Sequence, residues 1–204
     1  MTLSAVADTQ LDTGPSRVYD DFIRAKVAQA PLLGVDTGDI AINPVLKPHQ
    51  QAIVRWMVTG GRRACFAAFG LGKSVIQLET VRLTLERVGG RGLIVCPLGV
   101  KAEFARDAVE LLGWPTAPKF IRSITDADVH GIYLTNYETV RDGKLNPNDF
   151  MVASLDEAAV LRGFGGTKTF REFMKLFAGD DRSGVRTRGV PYRFVATATP
   201  SPNE

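Results

Sequence analysis

The segment Gly70-Leu71-Gly72-Lys73-Ser74 constrains this chain more than any other. Before it, RRACFAAF at 62–69 reads as a buried strand. After it, KSVIQLETVRLTLERV at 73–88 reads as an amphipathic helix with Ile76, Leu83 and Val88 among its apolar positions, closed by Gly89-Gly90. A strand that turns over glycines into a helix N-terminus can cradle a phosphate, because the turn aims backbone amides inward and the helix end is electropositive. Gly70 and Gly72 permit the turn, Lys73 can reach the β- and γ-phosphates, and Ser74 can place its hydroxyl on Mg²⁺. Ala67 stands where the full phosphate-loop pattern has its first glycine. The plainer alternative is a glycine turn with an exposed lysine.

The same alternation of strand and helix runs through the chain. LKPHQQAIVRWMVTGG starts with Pro48, suited to a first helical turn, and carries Ile53, Trp56 and Met57 as an apolar stripe. GLIVCP at 92–97 is a strand, 99–112 a helix ending at Gly113, and KFIRSI a short strand. A strand runs from Gly131 through Leu134, and DFMVASLDE is another that enters an acidic pair. TKTFREFMKLFAG at 167–179 is helical, 180–191 a charged loop, and YRFVATATP the last strand. Several strands are continuously apolar, as expected when helices cover both faces of a sheet. The fold class is therefore α/β, with a largely parallel central sheet flanked by helices. Residues 1–45 read as an N-terminal extension, with a polar arm over 1–16, a helix over 18–30 and a loop over 31–45, and residues 46–204 as the main domain.

Composition excludes other classes. Cys65 and Cys96 lie in apolar runs and read as small buried hydrophobes, and with only His49 and His130 beside them a structural zinc site is improbable. No run of 18 apolar residues exists, and the N-terminus lacks the form of a secretory signal, so the expected setting is cytoplasmic. The net charge of +3 is too small to argue for nucleic-acid binding.

A second chemical feature is Asp156-Glu157 after the apolar strand. An isolated acidic pair is ordinarily a surface feature. At the carboxyl end of a parallel strand, however, it emerges at the same sheet edge as the glycine turn. There Asp156 would hold Mg²⁺ and Glu157 would orient and deprotonate the attacking water. Thr197-Ala198-Thr199-Pro200 is a third, weaker feature, since threonines also suit a strand that a proline stops. Its hydroxyls could sense the phosphate state and relay it to a neighbouring surface.

Taken in order, these segments resemble the first RecA-like domain of superfamily 2 helicases and translocases, in particular the Snf2-like type of phages and prophages. LKPHQQAIVRWM is similar to the adenine-side segment, which places Gln50 against the adenine edge. FGLGKS resembles motif I, which in Snf2-like proteins also lacks the first glycine, so the resemblance implies nucleotide contacts from Gly70, Leu71, Gly72, Lys73 and Ser74. LIVCPLGVKAEF resembles motif Ia and YLTNYETV motif Ib, implying that Asn136 and Tyr137 lie near a tracked strand. LDEAAVLRGFGGTKTF resembles motif II with its basic extension, FVATATPSPN resembles motif III, and VYDDFIRAK resembles an N-terminal segment of the phage type. Ala159 departs from the histidine or aspartate that commonly bonds motif II to motif III.

The resemblance implies ATP and Mg²⁺ as cofactors and DNA as partner. Lys101, Arg106, Arg162 and Lys168 are candidate phosphate contacts, and Tyr137 could stack on a base or equally pack at a strand end. Thr197 and Thr199 join the coupling group. It also implies a second RecA-like domain, in a longer protein or a partner, for which the 204 residues hold no further sheet-forming segments. Arg182, Arg186, Arg188 and Arg193 could substitute for its arginine fingers but read more simply as a basic surface. The expected function is the ATP-binding half of a DNA helicase or translocase, an ATP hydrolase within the complete motor and slow or inactive in isolation, acting in the cytoplasm or, for a phage protein, the host cytoplasm. The alternatives are an ATP-dependent switch or accessory interaction module, and a small-molecule kinase, for which only 180–191 is a candidate lid.

Overall fold

The computed structural model describes the backbone of residues 31–164, 168–180 and 187–199. The chain divides at Pro31 into two units, and the second, Leu32–Glu204, carries the sheet. The helix expected over 18–30 lies outside the described residues.

Six strands form one parallel sheet: β1 (Arg62–Phe66), β2 (Arg91–Val95), β3 (Lys119–Phe120), β4 (Gly131–Thr135), β5 (Val152–Asp156) and β8 (Tyr192–Thr197). Their spatial order is β1-β8-β5-β2-β4-β3, and every pairing is parallel. All carboxyl ends therefore reach one edge. The last strand in sequence lies between β1 and β5, with Phe66 beside Thr197 and Asp156 beside Ala196. Two short strands, β6 (Gly179–Asp180) and β7 (Thr187–Arg188), pair separately and antiparallel, within and beside the segment expected to be a loop.

The continuously apolar strands divide their side chains between two cores. On β2, Ile94 joins the core under α1 (Pro48–Gly60) and α2 (Lys73–Val88), while Leu93 and Val95 join the opposite core with Tyr133, Phe173 and Phe177. Each fully buried leucine or isoleucine contributes roughly 1.5–3 kcal/mol of transfer free energy, which is why both faces attract helices. The second core is closed by α4 (Tyr137–Arg141) and α5 (Lys168–Ala178). The strand read from Gly131 is confirmed, but α4 after it was not anticipated from the sequence. Asn136 caps it by accepting from the amide of Thr139.

Two expectations change. The helix α2 is buried on nearly all sides and is not simply amphipathic: Gln77, Glu79 and Thr80 are fully buried, because it lies against the sheet and beneath α1. Glu79 is held by Arg82 and by the amide of Asn43, so the loop before α1 is anchored to α2. The single helix expected over 99–112 is three pieces: a 3₁₀ turn (Leu98–Val100), α3 (Lys101–Arg106) and a π turn (Asp107–Leu111).

Residues 33–35, expected in the extension, are bonded to the main unit. The amides of Leu33, Gly34 and Val35 donate to the carbonyls of Gly60, Thr59 and Val58 at 3.1–3.2 Å. Gly34 is required there, since a Cβ would strike the Val58 carbonyl and the Gly61 amide.

Candidate active site

At the carboxyl edge, β1 runs into the glycine turn. Gly70 and Gly72 have φ of 80° and 76°, a left-handed conformation open to glycine at little cost. Gly72 also lies so close to the Gln50 amide that a side chain would displace it. The Gln50 Nε2 donates to the Leu71 carbonyl at 3.1 Å, and its Oε1 accepts from the Lys47 amide at 2.9 Å. Gln50 thus ties the start of α1 to the glycine turn. Lys73 opens α2 and folds its ammonium onto the carbonyls of Ala67 and Ala68 at 3.2 and 3.3 Å, 4.9 Å from the Phe69 ring centre.

A cavity of about 680 Å³ opens over this turn. Lys47, Gln50, Gly72, Lys73, Ser74, Asp156 and Glu157 all line it. Parallel topology has brought the two sequence features, far apart in the chain, to one place. The backbone at Glu157 has φ of 48°, the only positive value outside glycine among the described residues. Such a conformation costs about 1–3 kcal/mol in a non-glycine residue and marks a turn the surroundings enforce. It sends the two carboxylates in different directions.

Asp156 points toward α2, where the Gln77 Nε2 donates to it at 2.7 Å and Gln77 is in turn fixed by the Ser154 hydroxyl at 2.6 Å. Burial raises the Asp156 pKa to about 6, opposed by the Gln77 hydrogen bond and reinforced by the neighbouring charge of Glu157. Glu157 turns toward β8 and accepts from the Thr197 hydroxyl at 3.1 Å. Thr197 accepts in its turn from the Thr199 amide, and its carbonyl accepts from Ala67, the first residue after β1. Ala159, on the 3₁₀ helix Ala158–Phe164, has no polar side chain with which to bond β8. Thr197 and Glu157 make that connection instead.

The sequence did not single out Gln77 or Asp107. Gln77 is one turn into α2, on the face of Lys73 (i+4), a spacing that a search for the inner face of the helix would have found. Asp107 is buried beside the cavity, and its Oδ2 accepts from the Ser74 hydroxyl at 2.5 Å.

The expected nucleic-acid residues divide. Lys101 is exposed, with its ammonium 5.0 Å from the Phe120 ring centre. Arg106 lies on the wall of the cavity over the glycine turn instead, bonded to Asp107 at 3.0 Å. Asn136 is occupied in capping α4, and its Nδ2 donates to Glu138. Tyr137 is in the core: it is 2% exposed, stacks obliquely on Phe173 and donates to the Asp156 carbonyl at 2.6 Å. Of its two readings, packing at a strand end is the one seen, because an enclosed ring has no open face for a base. Burial and the nearby Asp156 push its hydroxyl pKa well up, so it remains a donor. Arg162 and Lys168 sit in helical backbone, and their side chains lie outside the described residues, as do Arg182 and Arg186 altogether. Arg193 is the second residue of β8, near the amino end of the strand, with its amide on the Gly61 carbonyl.

Cys65 and Cys96 are both free and buried. Burial raises both thiols, Cys96 to about 12, as fits packing rather than reactivity. Among the described residues no three cysteine, histidine, aspartate or glutamate side chains converge as a metal cluster, and no helix is long and apolar enough to cross a membrane.

No family model and no curated protein matches the sequence. Solved structures do match the fold. The SWI2/SNF2 ATPase core of Sulfolobus solfataricus, determined in complex with double-stranded DNA, superposes with a TM-score of 0.57 at 18% identity over 78% of this chain. The UvsW helicase of bacteriophage T4 gives the same TM-score and identity over 90% of this chain. The matched region spans 33% and 60% of those two chains. The chain thus shares the RecA-like α/β fold of these solved structures, with the cavity over its glycine turn at the carboxyl edge of the sheet.

Proposed function

We propose that this chain is the ATP-binding half of a Snf2-like DNA helicase or translocase. One observation carries the reading: Lys73, Ser74, Asp156 and Glu157 line one cavity, with Thr197 bonded to Glu157 from the neighbouring strand.

The residues suit the chemistry. The triphosphate would lie over Gly70–Ser74, with the amides of the turn and the Lys73 ammonium drawn from the loop carbonyls to the β- and γ-phosphates. The Ser74 hydroxyl and the Asp156 carboxylate are hard oxygen donors lining the same cavity, which suits Mg²⁺, an ion that prefers few protein oxygens together with phosphates and water. Bound there, Mg²⁺ would neutralise charge developing on the phosphate oxygens. Gln77 holds Asp156 in place. Glu157 orients water for in-line attack at the γ-phosphate and accepts its proton. Gln50 and the backbone of Lys47 face the base end of the cavity.

Movement on DNA requires that hydrolysis alter a grip elsewhere. We assign the second RecA-like domain to the full-length protein or a partner, and place DNA along the surface carrying Lys101, with affinity from phosphate contacts. In this reading Asn136 shapes the α4 turn near that surface, and Arg162 and Lys168 supply further cations.

The test is DNA-stimulated ATP hydrolysis by this chain alone and with its natural downstream sequence restored. Stimulation confined to the longer protein supports the half-motor. Full activity in the shorter one contradicts it. Nucleotide binding that never leads to hydrolysis in either form would favour the switch or accessory module.

A further inference from the structure

Asp107 is buried where a charge is costly, while two apolar neighbours in the same π turn are not. Asp107 is 4% exposed, whereas Val109 and Leu111 are 42% and 50% exposed. Hydrophobic burial alone would choose the reverse. A π turn accommodates an extra residue in a helix, re-aims the side chains around it and is frequent at functional sites. Here the Leu112 amide reaches back to the Asp107 carbonyl, and the turn presents Asp107 to the first turn of α2.

The arrangement around Asp107 is directional. The Arg106 guanidinium donates to its Oδ1 at 3.0 and 3.3 Å. An ionised carboxylate only accepts, so the Ser74 hydroxyl must be the donor to Oδ2. A serine hydroxyl has one hydrogen. Once that hydrogen is committed to Asp107, the lone pairs of Ser74 Oγ are left for a cation on its other side. Asp156 lines the same cavity, fixed by Gln77 as Ser74 is fixed by Asp107.

We propose that Asp107 is a positioning residue for Mg²⁺, acting through Ser74: it takes the hydroxyl hydrogen, directs the Ser74 lone pairs to the metal and makes that oxygen a better ligand. Arg106 completes the device by balancing the buried charge. Outer partners of this kind typically change metal affinity about 10- to 100-fold when removed. The inference rests on the nucleotide-binding reading above and adds a residue to it.

The experiment titrates the 204-residue chain with a fluorescent ADP analogue, in Mg²⁺ and in excess EDTA. The ratio of the two Kd values reports metal-assisted binding without any turnover. Asp107→Ala is expected to reduce that ratio about tenfold and leave the Kd in EDTA within twofold. The Ser74→Ala/Asp107→Ala double variant should bind no worse than Ser74→Ala alone, since both remove one path to the metal. Asp107→Asn keeps an acceptor for the hydroxyl and should lose less than about threefold, which preserves the test if Asp107→Ala folds poorly. An unchanged ratio in Asp107→Ala, additive losses in the double variant, or an equal loss with and without Mg²⁺ would each overturn the proposal. Wild-type protein that binds the analogue with no Mg²⁺ dependence would overturn it and leave nucleotide binding standing. Wild-type protein that binds no nucleotide would overturn both.

Discussion

The Thr197 hydroxyl donates to Glu157 at 3.1 Å, joining the end of β8 to the residue after β5. Through its carbonyl the same threonine holds Ala67 at the start of the glycine turn. One residue therefore contacts both segments that would meet the γ-phosphate, and a change at either would be felt on β8.

Thr197→Val keeps the shape of this buried side chain and removes the hydroxyl. A hydrogen bond to a charged group contributes about 1.5–3 kcal/mol. In the complete motor we expect DNA-stimulated ATP hydrolysis to fall at least tenfold, with nucleotide Kd within about twofold of wild type. Steady-state ATPase assays beside nucleotide titrations separate the two effects. A change in Kd as large as that in rate would place Thr197 in binding rather than coupling.

Lys73→Ala removes the cation at the head of α2. Nucleotide retention should be lost, with affinity weakened by about 100-fold or more, since the ammonium is the positive side chain nearest the turn. Glu157→Gln should retain ATP and block turnover in the complete motor. Equal ATPase rates for Glu157→Gln and wild type would refute the role of Glu157 as base.

Asp156 makes stability depend on pH. Its folded-state pKa, about 6, lies above the ordinary carboxylate value of 3.8, so the folded protein binds this proton more tightly than the unfolded chain. The proton's stabilisation is fully present below about pH 4 and is lost as pH rises through about 6. At pH 7 the buried charge then costs on the order of 2–3 kcal/mol. Asp156→Asn keeps an acceptor for Gln77 and should raise the denaturation midpoint at pH 7, with little effect at pH 4. Urea melts at both pH values check this. The same variant should lose Mg²⁺-assisted nucleotide binding, the trade-off expected when an active-site charge opposes stability.

Tyr137→Phe tests the position of the ring. Loss of the bond to the Asp156 carbonyl should cost about 1–2 kcal/mol of stability. DNA affinity of the complete motor should change less than twofold if the ring is a core element. A much larger loss of DNA affinity without loss of stability would return Tyr137 to the nucleic-acid surface.

Most of the fold was legible because its signals are local. Gly60-Gly61 and Gly89-Gly90 end helices whose apolar spacing is visible in any short window. The run GLIVCP announces a strand buried on both faces, and Leu93 and Ile94 indeed enter opposite cores. The glycine turn and the acidic pair were recognisable because their chemistry dictates residue type and strand-end position. The short helix α4 was missed because one turn, Tyr137–Arg141, has too few residues to show a period. The break of 98–111 into three helical types was missed because a π turn changes register without any glycine or proline to mark it.

By itself, then, the amino-acid order determined the kinds of element, their sequence and the two chemical segments, since backbone sterics and burial period act over a few residues. Only the tertiary structure decided which side chains meet. Placing β8 between β1 and β5 brought Thr197 to Glu157, and the π turn brought Asp107 to Ser74. The core claimed Tyr137, and the cavity over the glycine turn took Arg106. The Asp107–Ser74 and Thr197–Glu157 pairs join residues 33 and 40 positions apart, and they are set by strand order and helix register, which no local window of sequence contains.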